Sequence, residues 1–453
     1  MKLNVFSPLP PTRSDIARLT THLLPLLASE AEVTVWASES SWELALQDNV
    51  TTRSYDVRHP PWREIGQADV TFYQMGNDPR YHHAIWQISR QHPGVVILHD
   101  VMLQHFFSGL VFHDAGLNRR EYLELVERHH GAKGRVAAEK HLHGLLDTED
   151  LAQIYPLTSA AIENALAVVV HSEAAFAALP ADTSAALLPL CVGPAAPRLD
   201  DRATGLTSEP RRLTMFGFLG PNRKLPTLLR ALATFDRRDR FRLDVYGTMD
   251  GAEKMEQLVC RLGLSDIVTL HGFVSAEVLD EALRRTDLVV NLRDPSMGEA
   301  SGSQLQLWQY GLPALVTRKA WYATVPENTV AFVRPGHEIA DIQEHLAAFL
   351  EDPEKYRVLG RNGRRYVSEH HSIERYASGL LEIAAQAPDF RARWIARDLA
   401  RHAASAMSDW SSATTMNAIS QRVAEEIRAL TSRTFIPKSS STAAASTGPA
   451  KSG

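Results

Sequence analysis

Cysteine is scarce in this sequence: two thiols, Cys191 and Cys260, stand far apart in a chain of 453 residues. Two such thiols cannot build a disulfide framework, and a reducing compartment suits them best. Long apolar runs are missing as well, which predicts a soluble or at most peripheral protein. The opening Met1-Lys2-Leu3-Asn4-Val5-Phe6 runs directly into prolines and lacks the apolar core of a signal peptide. There is no excess of positive charge: 48 basic against 53 acidic residues give a formal net charge of −5, and no electrostatic ground for a nucleic-acid partner. Histidine is plentiful at nineteen. Yet His82, His83, His99, His105, His129, His130, His141 and His143 show neither an H-E-x-x-H nor a carboxylate-rich spacing, and no metal is expected. The length exceeds what one ordinary core requires and predicts two domains with appendages.

What is present alternates between strand and helix. Leu3 to Phe6 reads as a strand, Ser7 to Ser14 as a turn-rich loop, and Asp15 to Ser29 as a helix with Ile16, Leu19, Leu23, Leu26 and Leu27 at helical spacing. Ser14 is its N-cap, and Asp15 suits the positive end of the helix dipole. Glu32 to Trp36 supplies the next strand, which completes the βαβ start of a doubly wound sheet. Asp69 to Tyr73, Val95 to Leu98 and Ala165 to Val170 read as further strands, each followed by polar residues: Gly76-Asn77, His99-Asp100 and His171-Ser172. Glu121 to Leu146 is a charged helical stretch with a solvated face. A Pro/Gly/Ala-rich run from Pro189 to Pro197, continued by polar residues to Arg211, marks a linker.

The alternation then restarts. Leu213 to Phe218 is a strand, and Leu219-Gly220-Pro221-Asn222-Arg223-Lys224-Leu225 leads into a helix from Pro226 to Phe235. An amide side chain and two adjacent cations at a strand-to-helix turn suit a diphosphate, because dipole, backbone N–H and point charge converge. Leu243 to Gly247 and Val268 to Val274, which includes Gly272 and Phe273, are further strands with their turns. The stretch around which the chain is organised is Asp287 to Thr317. It comprises an apolar strand, the loop Arg293 to Glu299, the small residues Ala300-Ser301-Gly302-Ser303, a helix from Gln304 to Tyr310, and Gly311-Leu312-Pro313 entering another strand. A helix N-terminus beside small residues is a ready anion site, and Glu299 stands at its mouth, at the carboxyl end of a strand.

Arg293, Gly298, Glu299, Ser301, Gly302, Ser303, Gly311 and Pro313 together resemble the signature of retaining glycosyltransferases of family 4, nucleotide-sugar enzymes with two Rossmann-like domains called GT-B. The likeness runs with gaps from Leu3 to Leu381 and is most specific over Phe216 to Pro326, where Trp321-Tyr322 also match. It implies an α/β fold: an acceptor-side Rossmann-like domain over 1–190, a linker over 191–211, a nucleotide-sugar-binding Rossmann-like domain over 212–384, a helical C-terminal extension over 385–436 and a disordered tail over 437–453. The resemblance assigns catalysis to Glu299, His99, Arg223 and Lys224. It gives the nucleotide-sugar to Gly217, Asn222, Gly247, Gly272, Phe273, Val274, Gly298, Ser301, Gly302 and Ser303, with the nucleobase cupped by backbone at Gly272 to Val274. The acceptor side of the cleft falls to Ser14, Asp15, Asn77 and Asp100.

Four positions depart from the family's pattern, the first being Arg223, which stands where the family places its phosphate-binding lysine, with Lys224 next. Asp15 replaces a glycine, so it reads either as an acceptor contact or simply as a helix N-terminal acid. Phe218 stands where an arginine is common. Leu307 stands where many members carry a second glutamate, bonded to the ribose. The implied activity is retaining, metal-independent hexosyl transfer from a nucleotide-diphospho-sugar to a carbohydrate, lipid-linked or protein acceptor in glycan, polysaccharide or glycoconjugate biosynthesis. No cofactor is expected, and the place of action is cytoplasmic, with a peripheral contact at the cytoplasmic membrane face left open. The helices after Ala385, with Trp394, Ile395, Leu399, Met407 and Trp410, would first cross back onto the first domain; their later part suits an oligomer or membrane contact. A sugar-nucleotide epimerase and a non-catalytic partner subunit of the same fold are the alternatives.

Overall fold

The computed structural model describes residues 1–12, 14–38, 42, 50–113, 116–193, 210–249 and 251–408. Residues 194–209 of the linker read over 191–211, Trp410, the helical extension beyond Ser408 and the tail at Ser439 to Gly453 lie outside the described residues, as does the side chain of Met407.

Seven parallel strands form the first sheet: β1 (Lys2–Phe6), β2 (Glu32–Ala37), β3 (Val50–Ser54), β4 (Val70–Met75), β5 (Val95–Leu98), β6 (Ala167–Val170) and β7 (Ala185–Leu187), in the order β3-β2-β1-β4-β5-β6-β7. Six more form the second: β8 (Arg211–Phe216), β9 (Phe241–Tyr246), β10 (Val268–Gly272), β11 (Leu288–Asn291), β12 (Ala314–Thr317) and β13 (Ala331–Val333), in the order β10-β9-β8-β11-β12-β13. Both sheets are doubly wound, with the strand order reversing next to β1 and β8, and ligands of such sheets bind outside the carboxyl ends at that reversal.

The central strands are buried on both faces, so their side chains divide between two cores with a period of two, whereas the edge strands β3 and β10 are largely exposed. Val95 and Ile97 join one apolar cluster while Val96 and Leu98 join another; in β11, Val289 faces the first cluster while Leu288 and Val290 face a third. Asn4 is the polar exception in β1, and it is satisfied there: its Nδ2 donates to Ile65 O at 2.8 Å and its Oδ1 accepts from Trp36 Nε1 at 2.9 Å.

Several boundaries differ from the sequence reading. β8 opens at Arg211, inside the segment read as linker, and ends at Phe216 rather than Phe218. The long charged helix runs Arg119–Leu142 and is broken at Gly131, whose φ of 68° and ψ of −171° are not helical. The return to the first domain begins before residue 385. His371 Nδ1 donates to Leu190 O at 2.6 Å, and Val192 N donates to His371 O at 3.1 Å. The helix Ile373–Ala385 then packs through Gly379 against Leu188. The helix Ala387–Ser408 continues across, with Trp394 Nε1 donating to Asn164 Oδ1 at 3.1 Å and Arg397 to Ala165 O at 3.0 Å. Among the described residues no helix is long and apolar enough to cross a membrane.

Candidate active site

The loops at the carboxyl ends of the two sheets meet. Val101 and Met102, after β5, both donate their backbone N–H to Met297 O at 3.1 Å, and Gln153 Nε2 donates to Ser296 O at 2.9 Å. Gly298 is at φ +82°, and a Cβ added there would come within 2.1 Å of Val101 Cγ2. Only glycine allows this approach of the two domains at that conformation.

Glu299 lies beside this seam. Its Oε2 accepts from Met297 N at 2.6 Å and from Ser296 Oγ at 2.9 Å. Its Oε1 lies 3.1 Å from Arg293 Nε, but at an angle that makes no hydrogen bond, so both buried atoms lack a hydrogen-bond partner within the protein. One carboxylate oxygen thus holds the loop, and the other keeps an open lone pair beside a cation. Burial alone would push the Arg293 guanidinium down, but Glu299, Tyr322 and Asp100 outweigh it and hold it above its ordinary value.

Arg223 is the buried cation of the turn Pro221–Arg223 between β8 and the helix Leu225–Ala233. Its Nη1 donates to Asn291 Oδ1 at 2.6 Å and its Nε to Phe218 O at 3.3 Å. Nη2 lies 2.8 Å from where a Cβ on Gly217 would be, so glycine leaves the space that the guanidinium fills. Asn291, the last residue of β11, carries the connection onward: its Nδ2 donates to Gln304 Oε1 at 3.0 Å, and its Oδ1 accepts from Ser303 Oγ at 3.4 Å. Ser303 Oγ is 3.1 Å from Ser301 Oγ, which caps the helix Gly302–Gln309 by accepting from Gln304 N at 3.1 Å. A Cβ at Gly302 would meet nothing within 4 Å, so the first turn of that helix opens onto space. Burial pulls the Arg223 guanidinium down to about 10, which still leaves it charged near neutral pH.

Lys224, the second cation of this turn, is paired within the protein. Its Nζ lies 3.1 Å from Asp294 Oδ2, and Asp294 Oδ1 is 2.6 Å from Lys319 Nζ. Asn291, Gln304, Asp294 and Lys319 went unassigned in the sequence reading; the only signal for Asn291 was a polar residue ending an apolar strand. The side chain of Phe218 is exposed, and Leu307 is wholly buried in the apolar core, so that helix presents no carboxylate for a ribose at that position. Gly247, at φ +133°, approaches Gly217 so closely that a Cβ would lie 1.8 Å from Gly217 O; its N–H donates to Gly272 O at 2.7 Å. Gly272, exposed Phe273 and half-buried Val274 follow at the end of β10, beside the stacked pair Tyr246 and His271 with centroids 4.3 Å apart.

On the first-domain side, Ser14 is spent as the cap of the helix Asp15–Ala28, accepting from Ile16 N at 3.2 Å. Asp15 is exposed and pairs with Arg18 at 3.2 Å, yet it lies near enough to Arg223 to raise that group's proton affinity. Asn77 clamps the loops together: its N–H donates to Asp100 Oδ2 at 3.1 Å, its Nδ2 to Met102 O at 2.8 Å, and its Oδ1 accepts from Phe106 N at 3.1 Å. His99 Nε2 donates to Gln74 Oε1 at 2.6 Å, and its ring lies 4.9 Å from that of His171. Burial, with His171 and His82 nearby, holds His99 well below its ordinary value and therefore neutral. Asp100 is pushed up to about 7 by burial first and then by Glu299, against the pull of Arg293, Asn77 and His105. A carboxyl raised in this way favours the folded state below about pH 4, and that benefit is lost as the pH climbs to about 7. Asp100→Asn should therefore match the parent at pH 4 and exceed it at pH 8 by on the order of 1–3 kcal/mol in denaturant titrations; equal stability at both pH values would contradict this.

Residues 198–366 match the family described as "Glycosyl transferases group 1". No curated protein sequence matches the chain. Among solved structures, the fold is similar to that of sucrose-phosphate synthase from Thermosynechococcus elongatus, at 17% identity and TM-score 0.56, covering 85% of this chain and 98% of that one. It is similar to Anabaena HepE in complex with UDP and glucose, at 15% identity and TM-score 0.58, covering 85% and 100%. WaaG, a glycosyltransferase involved in lipopolysaccharide biosynthesis, is similar at 16% identity and TM-score 0.55, covering 84% and 99%. Fold and matched domain define the class: two Rossmann-like halves in the GT-B arrangement, the second a glycosyl transferases group 1 domain. Residues 198–366 thus match a glycosyl transferases group 1 domain, and the chain as a whole has the fold of GT-B glycosyltransferases.

Proposed function

We propose that the protein is a retaining, metal-independent hexosyltransferase of family 4, which moves a sugar from a nucleotide-diphospho-sugar to an acceptor hydroxyl in cytoplasmic glycan or glycoconjugate biosynthesis. The observation that carries this is the hydrogen-bonded line from Arg223 through Asn291 to Ser303 and Ser301, which joins a buried cation to an open helix N-terminus beside Glu299. Negative charge collects on the diphosphate as the anomeric C–O bond breaks, and preorganised donors aimed at that charge lower the barrier. Clustered side-chain cations take the part that a divalent metal plays elsewhere. The acceptor hydroxyl forms the new C–O bond while its proton passes to the departing phosphate oxygen on the same face. Glu299 Oε1 accepts from a sugar hydroxyl, and neutral His99 closes the sugar pocket from the other domain. Asp100 lines the acceptor side.

UDP and glucose are the ligands of one HepE structure, which makes UDP-glucose the first donor to try. Thermal-shift and calorimetric titrations with UDP-, GDP-, ADP- and TDP-sugars and the matching nucleoside diphosphates test the reading. One nucleotide should stabilise the parent, and its sugar should add affinity. Glu299→Ala should lose about tenfold or more of that sugar contribution while keeping the nucleoside diphosphate. Absence of any nucleotide-induced shift at high concentration would overturn the proposal.

A further inference from the structure

We infer that Lys319, on the turn after β12, is a further cation of the diphosphate site, brought there by Asp294; the inference rests on the function proposed above. Three strand-end loops converge at this point, from the adjacent strands β8, β11 and β12. Asp294 N donates to Asn222 O at 2.8 Å, which ties the loop after β11 to the turn that carries Arg223 and Lys224. Arg293 N donates to Thr317 Oγ1 at 3.0 Å, which ties the same loop to the end of β12, two residues before Lys319. The Asp294 carboxylate then places one oxygen on each ammonium, 3.1 Å from Lys224 and 2.6 Å from Lys319. Burial raises its proton affinity, but the hydrogen bonds and charges of the two lysines outweigh this and hold the carboxyl below its ordinary value.

The charge count fits an anionic ligand. Arg223, Lys224, Arg293 and Lys319 outnumber the carboxylates of Asp294 and Glu299, and with Asp100 raised to about 7 and Asp15 paired with Arg18 the cluster keeps an excess of positive charge. Folding alone does not explain the cluster. Two partly exposed lysines about one carboxylate contribute little to stability, whereas two ammonium groups held one on each oxygen of a single carboxylate form a preorganised pair of point charges for phosphate oxygens. Both lysine side chains keep solvent-facing surface, 29% for Lys224 and 42% for Lys319, so a ligand can reach them.

The test is calorimetric titration of the full chain, Lys319→Gln and Lys319→Arg with inorganic pyrophosphate, with the nucleoside diphosphate that binds the parent among UDP, GDP, ADP and TDP, and with the matching nucleoside. Lys319→Gln should bind pyrophosphate and the nucleoside diphosphate about five- to tenfold more weakly and the nucleoside equally well, with a shallower salt dependence. Lys319→Arg should recover most of the loss. A merely structural ion pair would lower the melting temperature and leave the ratio of diphosphate to nucleoside affinity unchanged, which would overturn the inference alone. A parent protein that binds none of the nucleotides would remove the proposed function and this inference with it.

Discussion

Arg223→Met is expected to lower kcat/KM by about two to three orders of magnitude, without a comparable loss of stability. The two effects separate because the guanidinium is costly to bury and useful only when an anion arrives. Burial pulls it down to about 10, a sign that the folded protein disfavours the charged form. Its neighbour Arg293 adds repulsion, and only partial relief comes from Tyr322, Glu299 and Asp15. Methionine has a similar reach and needs no hydrogen bonds. It would leave Asn291 Oδ1 with only the longer contact from Ser303 Oγ at 3.4 Å, but it would also end the desolvation of a charge. The melting temperature should therefore hold or rise while the leaving group loses its buried cation. Arg223→Lys should recover only part of the rate, because one ammonium cannot reach Asn291 Oδ1 and Phe218 O together and still offer a face to phosphate. Steady-state kinetics with the donor identified by titration, run beside thermal melts, decide the matter. A variant within about threefold of the parent would show that Arg223 is a structural residue.

How far this site could be read from sequence depends on how local each piece is. Ser14 is an N-cap by its position before a helix and proves to be one, whereas the helix read from Gln304 opens two residues earlier, at Gly302, with Ser301 as its cap. The places of Arg223 and Glu299 in strand–loop–helix units could be read from spacing, while the roles given to them came from the family resemblance. Lys319 was not, because nothing near it in the chain is unusual; it matters through Asp294, which belongs to another loop. The clamping bonds of Asn77 were hidden for the same reason: they go to Asp100, Met102 and Phe106, which the chain brings beside it only after β5. The strands β3, β7 and β13 were missed because Val50–Ser54 is a polar, mostly exposed sheet edge, and because Ala185–Leu187 and Ala331–Val333 are three residues each. The return of the chain at His371 was invisible for a further reason: it is made by an imidazole bonded to a backbone carbonyl, which leaves no periodicity.

Those imidazoles set the second large effect, a loss of stability on mild acidification. Burial pulls His82, His171 and His371 down to about 4 each, and His99 lies well below its ordinary value. Each of the first three donates from Nδ1 to a backbone carbonyl: His82 to Gln74 O at 3.0 Å, His171 to Leu188 O at 2.9 Å and His371 to Leu190 O at 2.6 Å. Protonation would have to occur at Nε2, and for His171 that atom is buried with no partner to accept the new N–H. A histidine whose folded value is depressed stabilises the protein fully above the unfolded value of about 6.5, and that contribution is lost as the pH falls toward about 4. Asp100 acts in the opposite sense over the same window, since its raised carboxyl favours the folded state at low pH, but one carboxyl faces several imidazoles. The balance gives a net loss between about pH 6.5 and 4, with an upper bound on the order of 3 kcal/mol for each fully buried imidazole. The seam at which the chain returns to the first domain should yield early, because His371 bonds to Leu190 there and the His171 ring lies 5.8 Å from that of Tyr376. Urea titrations at pH 7.5, 6 and 5 should show falling stability, and His371→Gln, which can keep a donor toward Leu190 O, should flatten the slope. A midpoint constant from pH 7.5 to 4.5 would mean that these imidazoles are not held neutral by the fold.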